Sequence, residues 1–233
     1  MKGTSLSDPR LRMLAQKIPK GAVVADIGTD HGHLVCFLAE RGISSYAYAC
    51  DIGEKPLEKA RRQIQSRELE TRVEARLTDG LQGLPLDFIT HVVMAGMGGE
   101  LIASILEACP DARSQRLRFL LQPMTKAERL RKWLCQNGYD IVAEDGVAAG
   151  KFLYTIMEVV YTGTIWEPEP LFVWTGRLPQ SSCPASKALL GKVAARLRRA
   201  GEGLSASQKE NRSGEAYLAL AEKIEGMIKG EEE

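Results

Sequence analysis

Three aspartates, Asp26, Asp51 and Asp79, stand where three short apolar runs of the chain end. A carboxylate at the end of a parallel strand can accept hydrogen bonds from ribose hydroxyls or from the amino group of adenine. One such aspartate alone is typical of an ordinary turn. Because the carboxyl ends of parallel strands share one edge of a sheet, the three together predict a nucleoside site at that edge.

The stretch after Asp26 is a glycine turn that leads into a predicted helix. Dinucleotide-binding turns carry three glycines, which let the backbone approach a pyrophosphate. Here Asp30 replaces the middle glycine, between Gly28 and Gly32, and a carboxylate competes with an anionic ligand for the helix amides. S-adenosylmethionine suits the turn better, since it has no phosphate and carries a sulfonium and an ammonium. The turn favours a methyltransferase over an NAD enzyme, and a βα turn without any ligand is the alternative.

A second glycine turn, 96–99 (Gly-Met-Gly-Gly), follows the fourth predicted strand. Adenine-N6 methyltransferases of DNA grip the target base there with a polar-Pro-Pro-aromatic motif, which this chain lacks. Glycines let backbone groups approach a ligand closely, which suits a nucleophile that needs alignment more than activation. Adenine N1 is such a nucleophile. The predicted cofactor-binding residues on these turns are Asp26, Gly28, Asp51, Ile52, Asp79, Gly80, Ala95 and Gly96.

The elements that position these turns alternate regularly between strands and helices. The pattern predicts five βα units and a terminal hairpin near the glycines at 146 and 150, an α/β, doubly wound, Rossmann-like sheet with one antiparallel strand. We expect this domain to span residues 1–162. Prolines between 162 and 185 predict a surface connector, and residues 163–233 comprise this connector and a C-terminal helical hairpin. The predicted tip of that hairpin is at 201–203 or, preferably, at 211–214.

Charge is distributed unevenly, although the formal net charge is only +1. Residues 1–20 contain five basic residues and one acidic residue, and residues 187–212 contain seven basic and two acidic residues. These segments predict a surface for RNA phosphates. A solvated helix face is the alternative for both segments. The predicted RNA contacts are Arg10, Arg12, Lys192, Arg196 and Arg199.

Composition restricts the function classes further. The chain has 233 residues, 44% of them hydrophobic, and no apolar run long enough to span a membrane. Five scattered cysteines argue against a disulfide framework, and three histidines make a metal site unfavourable. We expect a cytoplasmic protein, a monomer or weak dimer, without a metal and without a membrane partner.

Five motifs occur in a fixed order, and together they resemble the bacterial tRNA adenine-22 N1-methyltransferase (TrmK-like) family. They are Leu-Ser-x-Pro-Arg-Leu at 6–11, Asp-Ile-Gly-Thr-Asp-His at 26–31, Asp-Gly-Leu at 79–81, Ala-Gly-Met-Gly-Gly at 95–99 and Leu-Gln-Pro at 121–123. The resemblance implies a class I methyltransferase fold, S-adenosylmethionine as donor and an adenine in the tRNA D-arm as target. The chain departs from the family at Asp51, where glutamate is usual, and at Met124, where asparagine is frequent.

The acceptor pocket is expected between the two glycine turns, with Gln122-Pro123 as a third wall. Asp30 is the candidate for contacting the adenine amino group or the developing positive charge, while His31 and Met97 orient the base. Two other functions stay open at this point. One is methyl transfer to a different RNA, a protein or a small molecule, and the other is a non-catalytic RNA-binding module with a structural cofactor pocket.

Overall fold

The computed structural model describes residues 6–205 and 211–230, which form a seven-stranded sheet with helices on both faces and a helical hairpin. The strands are β1 Ala22–Ile27, β2 Ser44–Asp51, β3 Val73–Leu77, β4 His91–Met97, β5 Arg118–Pro123, β6 Tyr139–Ala149 and β7 Phe152–Tyr161. The helices are α1 Pro9–Gln16, α2 His33–Glu40, α3 Glu54–Ser66, α4 Gly99–Glu107, α5 Ala127–Gln136, α6 Pro170–Thr175, α7 Pro184–Ser205 and α8 Asn211–Lys229.

The strand order is β3-β2-β1-β4-β5-β7-β6, and β7 alone runs in the direction opposite to the other six strands. This confirms the predicted doubly wound α/β fold with one antiparallel strand. The order of strands reverses between β1 and β4, and ligands of such sheets bind at this switch point. Apolar residues cover both faces of the central strands. Helices α1 to α3 pack on one face, and α4 and α5 pack on the other.

Helix α1 begins as its sequence predicts. Asp8 is the N-cap and accepts a hydrogen bond from the Arg10 amide at 2.8 Å, while Pro9 occupies the first helical turn. The buried Leu14 fixes the helix to the sheet. This packing brings the polar N-terminus of α1 to the carboxyl edge of β1 and β4, beside the switch point.

The segment expected to be a surface connector lies largely at the surface, and it is also anchored to a buried ion pair. It contains α6, and it supplies the Val173 and Trp174 carbonyls to the guanidinium of Arg131 at 3.0 and 3.1 Å. Arg131 also pairs with Glu144 at 2.7 Å, and the two side chains are 3% and 0% exposed. Two further donors reach Glu144, the Thr155 hydroxyl and a connector amide. The prolines predicted the loops correctly, but one sequence cannot show that a distant ion pair holds them.

The predicted helical hairpin is present, but its tip was predicted wrongly. Gly201 lies inside α7, and Gly214 lies in the first turns of α8. Helix α7 ends at Ser205 and α8 begins at Asn211, so neither predicted position is the tip; residues 206–210 lie outside the described residues. A Cβ on Gly201 would lie 2.9 Å from the Gly214 carbonyl oxygen. These glycines therefore allow the two helices to approach closely, and they do not form a turn.

We expect Glu144→Gln to destabilise the protein strongly. The substitution leaves the Arg131 charge buried without a counter-ion, which costs roughly 3–5 kcal/mol of unfolding free energy. Urea unfolding followed by circular dichroism measures the change. Glu225→Gln is the matched control, because Glu225 pairs with Arg198 at the surface, and it should leave the urea midpoint almost unchanged. A wild-type midpoint for Glu144→Gln would contradict the anchoring role of this pair.

Candidate active site

The ends of β1, β2 and β4 lie level with one another. Ile27 is in register with Cys50 of β2 and with Met94 of β4. The next residue, Gly28, donates its amide to the Cys50 carbonyl at 2.9 Å, which holds the first glycine turn over the edge of the sheet. The register therefore brings the turns after β1, β2 and β4 together, as their position after parallel strands predicts.

A cleft of about 550 Å³ opens at the switch point. Its walls come from the β1 turn, the ends of β4 and β5, and the N-terminus of α1. Four predicted cofactor-binding residues line it, together with the predicted catalytic Asp30. The lining residues are Leu6, Ser7, Asp8, Arg10, Leu11, Asp26, Gly28, Asp30, His33, Leu34, Arg67, Ala95, Gly96, Gln122 and Met124.

Asp26 is the buried carboxylate of this cleft and is only 7% exposed. The Thr29 hydroxyl donates a hydrogen bond to it at 2.8 Å. Burial raises the pKa of Asp26 to about 7, against this hydrogen bond and with a smaller contribution from the Asp51 carboxylate. A carboxyl group poised between its two protonation states ionises when a cation binds nearby, so the cleft favours a cationic ligand group.

The backbone of the cleft requires glycine at Gly28. Its φ is +72°, and a Cβ there would lie 2.8 Å from the terminal methyl of Met97. Gly96 also has a positive φ, +80°, and its amide donates a hydrogen bond to the Gln122 side-chain oxygen at 3.2 Å. The two turns therefore present bare backbone to the cleft, which allows a ligand to approach closely.

The other four predicted cofactor-binding residues lie beside the cleft, along the ends of β2 and β3. Asp51 accepts the Gly53 amide at 2.7 Å with one carboxylate oxygen. Ile52 is 70% exposed, and Asp79 is also exposed. Gly80 adopts a positive φ of +59° in the turn after β3. An exposed apolar side chain between two carboxylates suits a ring with a polar rim, such as a nucleoside.

The Asp30 carboxylate contacts the His31 ring at the mouth of the cleft. The Asp30 side chain is 85% exposed. His31 has a φ of +60°, unusual for a residue with a side chain, and its ring stacks on that of His33 at 5.5 Å. Asp30 faces the cleft, whereas His31 lies behind it and does not line the cleft.

The second glycine turn, including Met97, is positioned differently from the prediction. Strand β4 continues to Met97, so the turn is shorter than predicted, and only Gly96 of residues 96–99 lines the cleft. Met97 packs against Gly28 and the core. Gly99 is buried, and a Cβ on it would lie 2.7 Å from the Lys126 carbonyl oxygen. Pairing with β5 extends β4 at this end, a long-range effect that a local motif does not reveal.

A chain of hydrogen-bonded polar groups that crosses the cleft was not predicted from the sequence. Arg10 binds both carboxylate oxygens of Asp8, and it donates to the Gln122 side chain at 3.2 Å. The same Gln122 oxygen accepts the Gly96 amide, and the Met124 sulfur lies 3.1 Å from the Arg10 guanidinium. The motifs at 6–11 and 121–123 contain Asp8, Arg10 and Gln122, and the joint presence of these motifs was the signal that could have identified the three residues.

The predicted RNA contacts fall into separate places. Arg10 belongs to the cleft, and Arg12 donates to the Leu6 and Ser7 carbonyls at 2.9 and 3.2 Å, so both are partly engaged within the protein. Lys192 and Arg199 are exposed on α7, without an ion pair among the residues that the structure describes. Arg196 pairs with Glu128 at 3.0 Å.

Comparison with known families identifies the fold of this cleft. Residues 7–157 match the methyltransferase domain family. The chain belongs to this family. It is 38% identical over 135 residues to the tRNA (adenine(22)-N(1))-methyltransferase of Bacillus subtilis, and the match covers 58% of this chain but only 57% of that relative.

Two solved structures resemble this methyltransferase domain together with its hairpin. The Bacillus subtilis m1A22 tRNA methyltransferase TrmK has a TM-score of 0.80 at 27% identity, covering 97% of this chain and 98% of that one. A Streptococcus pneumoniae candidate tRNA (m1A22) methyltransferase, solved in complex with S-adenosyl-L-methionine, has a TM-score of 0.76 at 27% identity, covering 92% and 97%. The resemblance predicted from the motifs is confirmed.

Within residues 6–205 and 211–230, no helix is long and apolar enough to cross a membrane. No group of three His, Cys, Asp or Glu side chains in these ranges could hold a metal ion.

We expect Asp26→Asn to remove a pH dependence of stability from the ligand-free methyltransferase domain. Because the folded pKa is raised from 3.8 to about 7, the folded state binds more protons than the unfolded chain between these pH values. The wild type therefore loses stability as pH rises through this window, and Asp26→Asn should be more stable by roughly 2–4 kcal/mol at pH 8 but not at pH 4. Urea unfolding of both proteins from pH 4 to 8 measures the difference. Parallel curves would contradict the raised pKa.

Proposed function

We propose that the protein transfers a methyl group from S-adenosylmethionine to N1 of adenine 22 in the D-arm of tRNA. The observation that carries the proposal is the cleft at the switch point, where a buried carboxylate and bare glycine backbone replace a phosphate-binding turn. The relatives named as tRNA adenine-22 methyltransferases support tRNA as the substrate. This chain aligns with less than two thirds of the Bacillus subtilis relative, so the substrate is assigned by an experiment on this protein.

The residues fit the cofactor. Asp26, Gly28, Ala95 and Gly96 would hold its charged methionine end in the cleft, since Asp26 gains charge beside a cation. Asp51, Ile52, Asp79 and Gly80 would hold the adenosine on the open edge of β2 and β3. When bound, the cofactor supplies an electrophilic methyl group on a sulfonium. The Thr29 hydroxyl keeps the Asp26 carboxyl oriented.

The target adenine enters the same cleft from the side of Asp30 and Gln122. Its N1 lies on the pairing edge, so the base must leave its stack, which costs a few kcal/mol. Asp30, exposed at the mouth, would contact the adenine amino group or stabilise the positive charge that forms on the base. His31 would orient Asp30 through their contact, and Met97 would act only through the position of Gly28.

Exposed cations on the hairpin would hold the rest of the tRNA. Lys192 and Arg199 are accessible to phosphates, and Arg12 adds charge near the cleft. We propose residues 1–162 as the catalytic domain and 163–233 as the connector and RNA-binding hairpin. The proposal includes a metal-free cytoplasmic enzyme that works as a monomer or weak dimer.

The proposal predicts that one modified nucleoside forms at one position. Purified protein, S-adenosylmethionine and unmodified tRNA should yield 1-methyladenosine at position 22, measured by mass spectrometry of nucleosides and of nuclease fragments. A tRNA with guanine at position 22 is the matched control and should remain unmethylated. Methylation of another nucleoside or of a protein would assign a different substrate. Binding of tRNA without any methyl transfer would favour an RNA-binding module.

Two substitutions should separate donor binding from methyl transfer. Asp51→Ala removes a carboxylate from the adenosine side, and we expect clearly weaker binding of S-adenosylmethionine by calorimetry. Asp30→Asn removes the charge at the mouth, and we expect turnover to fall by roughly 10²-fold or more while donor affinity stays at the wild-type value. Wild-type turnover in Asp30→Asn would restrict Asp30 to the structure of the turn.

A further inference from the structure

A second groove, of about 170 Å³, lies beside the cleft. It runs between the start of α5 and the hairpin, and Met124 lines both the groove and the cleft. At their junction, the Arg10 guanidinium lies over the ring of Tyr154 at 5.3 Å, and Tyr154 also lines the groove. The two concave surfaces are therefore continuous, so a ligand chain that ends in the cleft can extend along the groove.

The planar guanidinium of Arg196 is held in a fixed position in this groove. Its guanidinium lies 5.0 Å from the centre of the Trp174 ring, and it donates to Glu128 at 3.0 Å. Nevertheless the side chain is 59% exposed. An exposed arginine normally keeps its rotamer freedom, but here stacking from one side and an ion pair at the edge restrict it.

The support beneath Arg196 is itself anchored. The buried Arg131 holds the Trp174 carbonyl at 3.1 Å, and Tyr217 of α8 packs edge-on against the Trp174 ring at 6.2 Å. Trp174 is therefore fixed from the core of the domain and from the hairpin at once. The guanidinium above it has a defined position relative to the cleft.

We propose that Arg196, stacked on Trp174, is a platform for the base of a nucleotide next to the target adenine. The inference rests on the proposed function and names a subsite for the same tRNA. The charge of Arg196 is already paired with Glu128, so its planar face, and not its charge, is what it offers to a ligand. Extrusion of the target adenine exposes the faces of its neighbours, and guanidinium planes are stacking partners for unstacked bases.

Arg196→Lys tests the platform, because lysine keeps the positive charge and can reach Glu128 but has no planar face. We expect the KM for tRNA and the Kd for tRNA, the latter from filter binding, to rise by about tenfold. The kcat at saturating tRNA should stay within about twofold, and donor affinity and the slope of log Kd against log salt should not change. Arg198→Lys is the matched control, since Arg198 lies on the same helix and pairs with Glu225.

The outcomes separate the alternatives. Wild-type KM and Kd in Arg196→Lys would overturn the platform and leave Arg196 as a contact between the hairpin and the domain. A loss seen equally in Arg198→Lys would also overturn it. If Arg196→Gln lowers the salt slope by about one while Arg196→Lys retains affinity, Arg196 binds a phosphate and the platform is wrong. If the wild type forms no 1-methyladenosine, the proposed function fails, and the Kd values still decide the platform.

Discussion

The buried ion pair between Arg131 and Glu144 connects the parts of this protein that lie far apart in sequence. Arg131 comes from α5, Glu144 from β6, and the remaining partners come from the connector. A buried charge without its partner costs far more than a surface pair contributes, so this cluster tolerates few alternatives. It fixes α6, and through Trp174 it fixes the position of the hairpin relative to the switch-point cleft. The hairpin is therefore placed by the core of the methyltransferase domain.

The fold was predictable because each signal was local. The alternation of apolar runs and glycine turns predicted the doubly wound sheet with one antiparallel strand. The glycines of the hairpin were misread for the opposite reason. Gly201 and Gly214 are required by each other, across the helix pair, and no local pattern distinguishes close approach from a turn. The contacts that anchor the connector were not predicted for the same reason, because they join residues distant in sequence.

In the candidate site, too, local patterns were predicted and contacts between distant parts of the sequence were not. Residues at the ends of strands, such as Asp26 and Asp51, were found from spacing alone, because strand register brings them to one edge. The chain from Asp8 through Arg10 to Gln122 was missed, since it joins α1 to β5 across more than a hundred residues. The raised pKa of Asp26 also could not be predicted, because it results from burial among its three-dimensional neighbours.

The basic side chains around the cleft and on the hairpin differ in whether a carboxylate neutralises them. At the start of α5, Glu100 pairs with Lys126 and Arg129, and Glu128 pairs with Arg196. These three cations are thus neutralised and held in place, which favours contacts that depend on shape and on stacking. Lys192 and Arg199 keep their charge accessible on α7, and long-range attraction of a polyanion depends on such cations. Under the proposed function, recruitment of the RNA and recognition of its bases would therefore use different residues, even on a single helix.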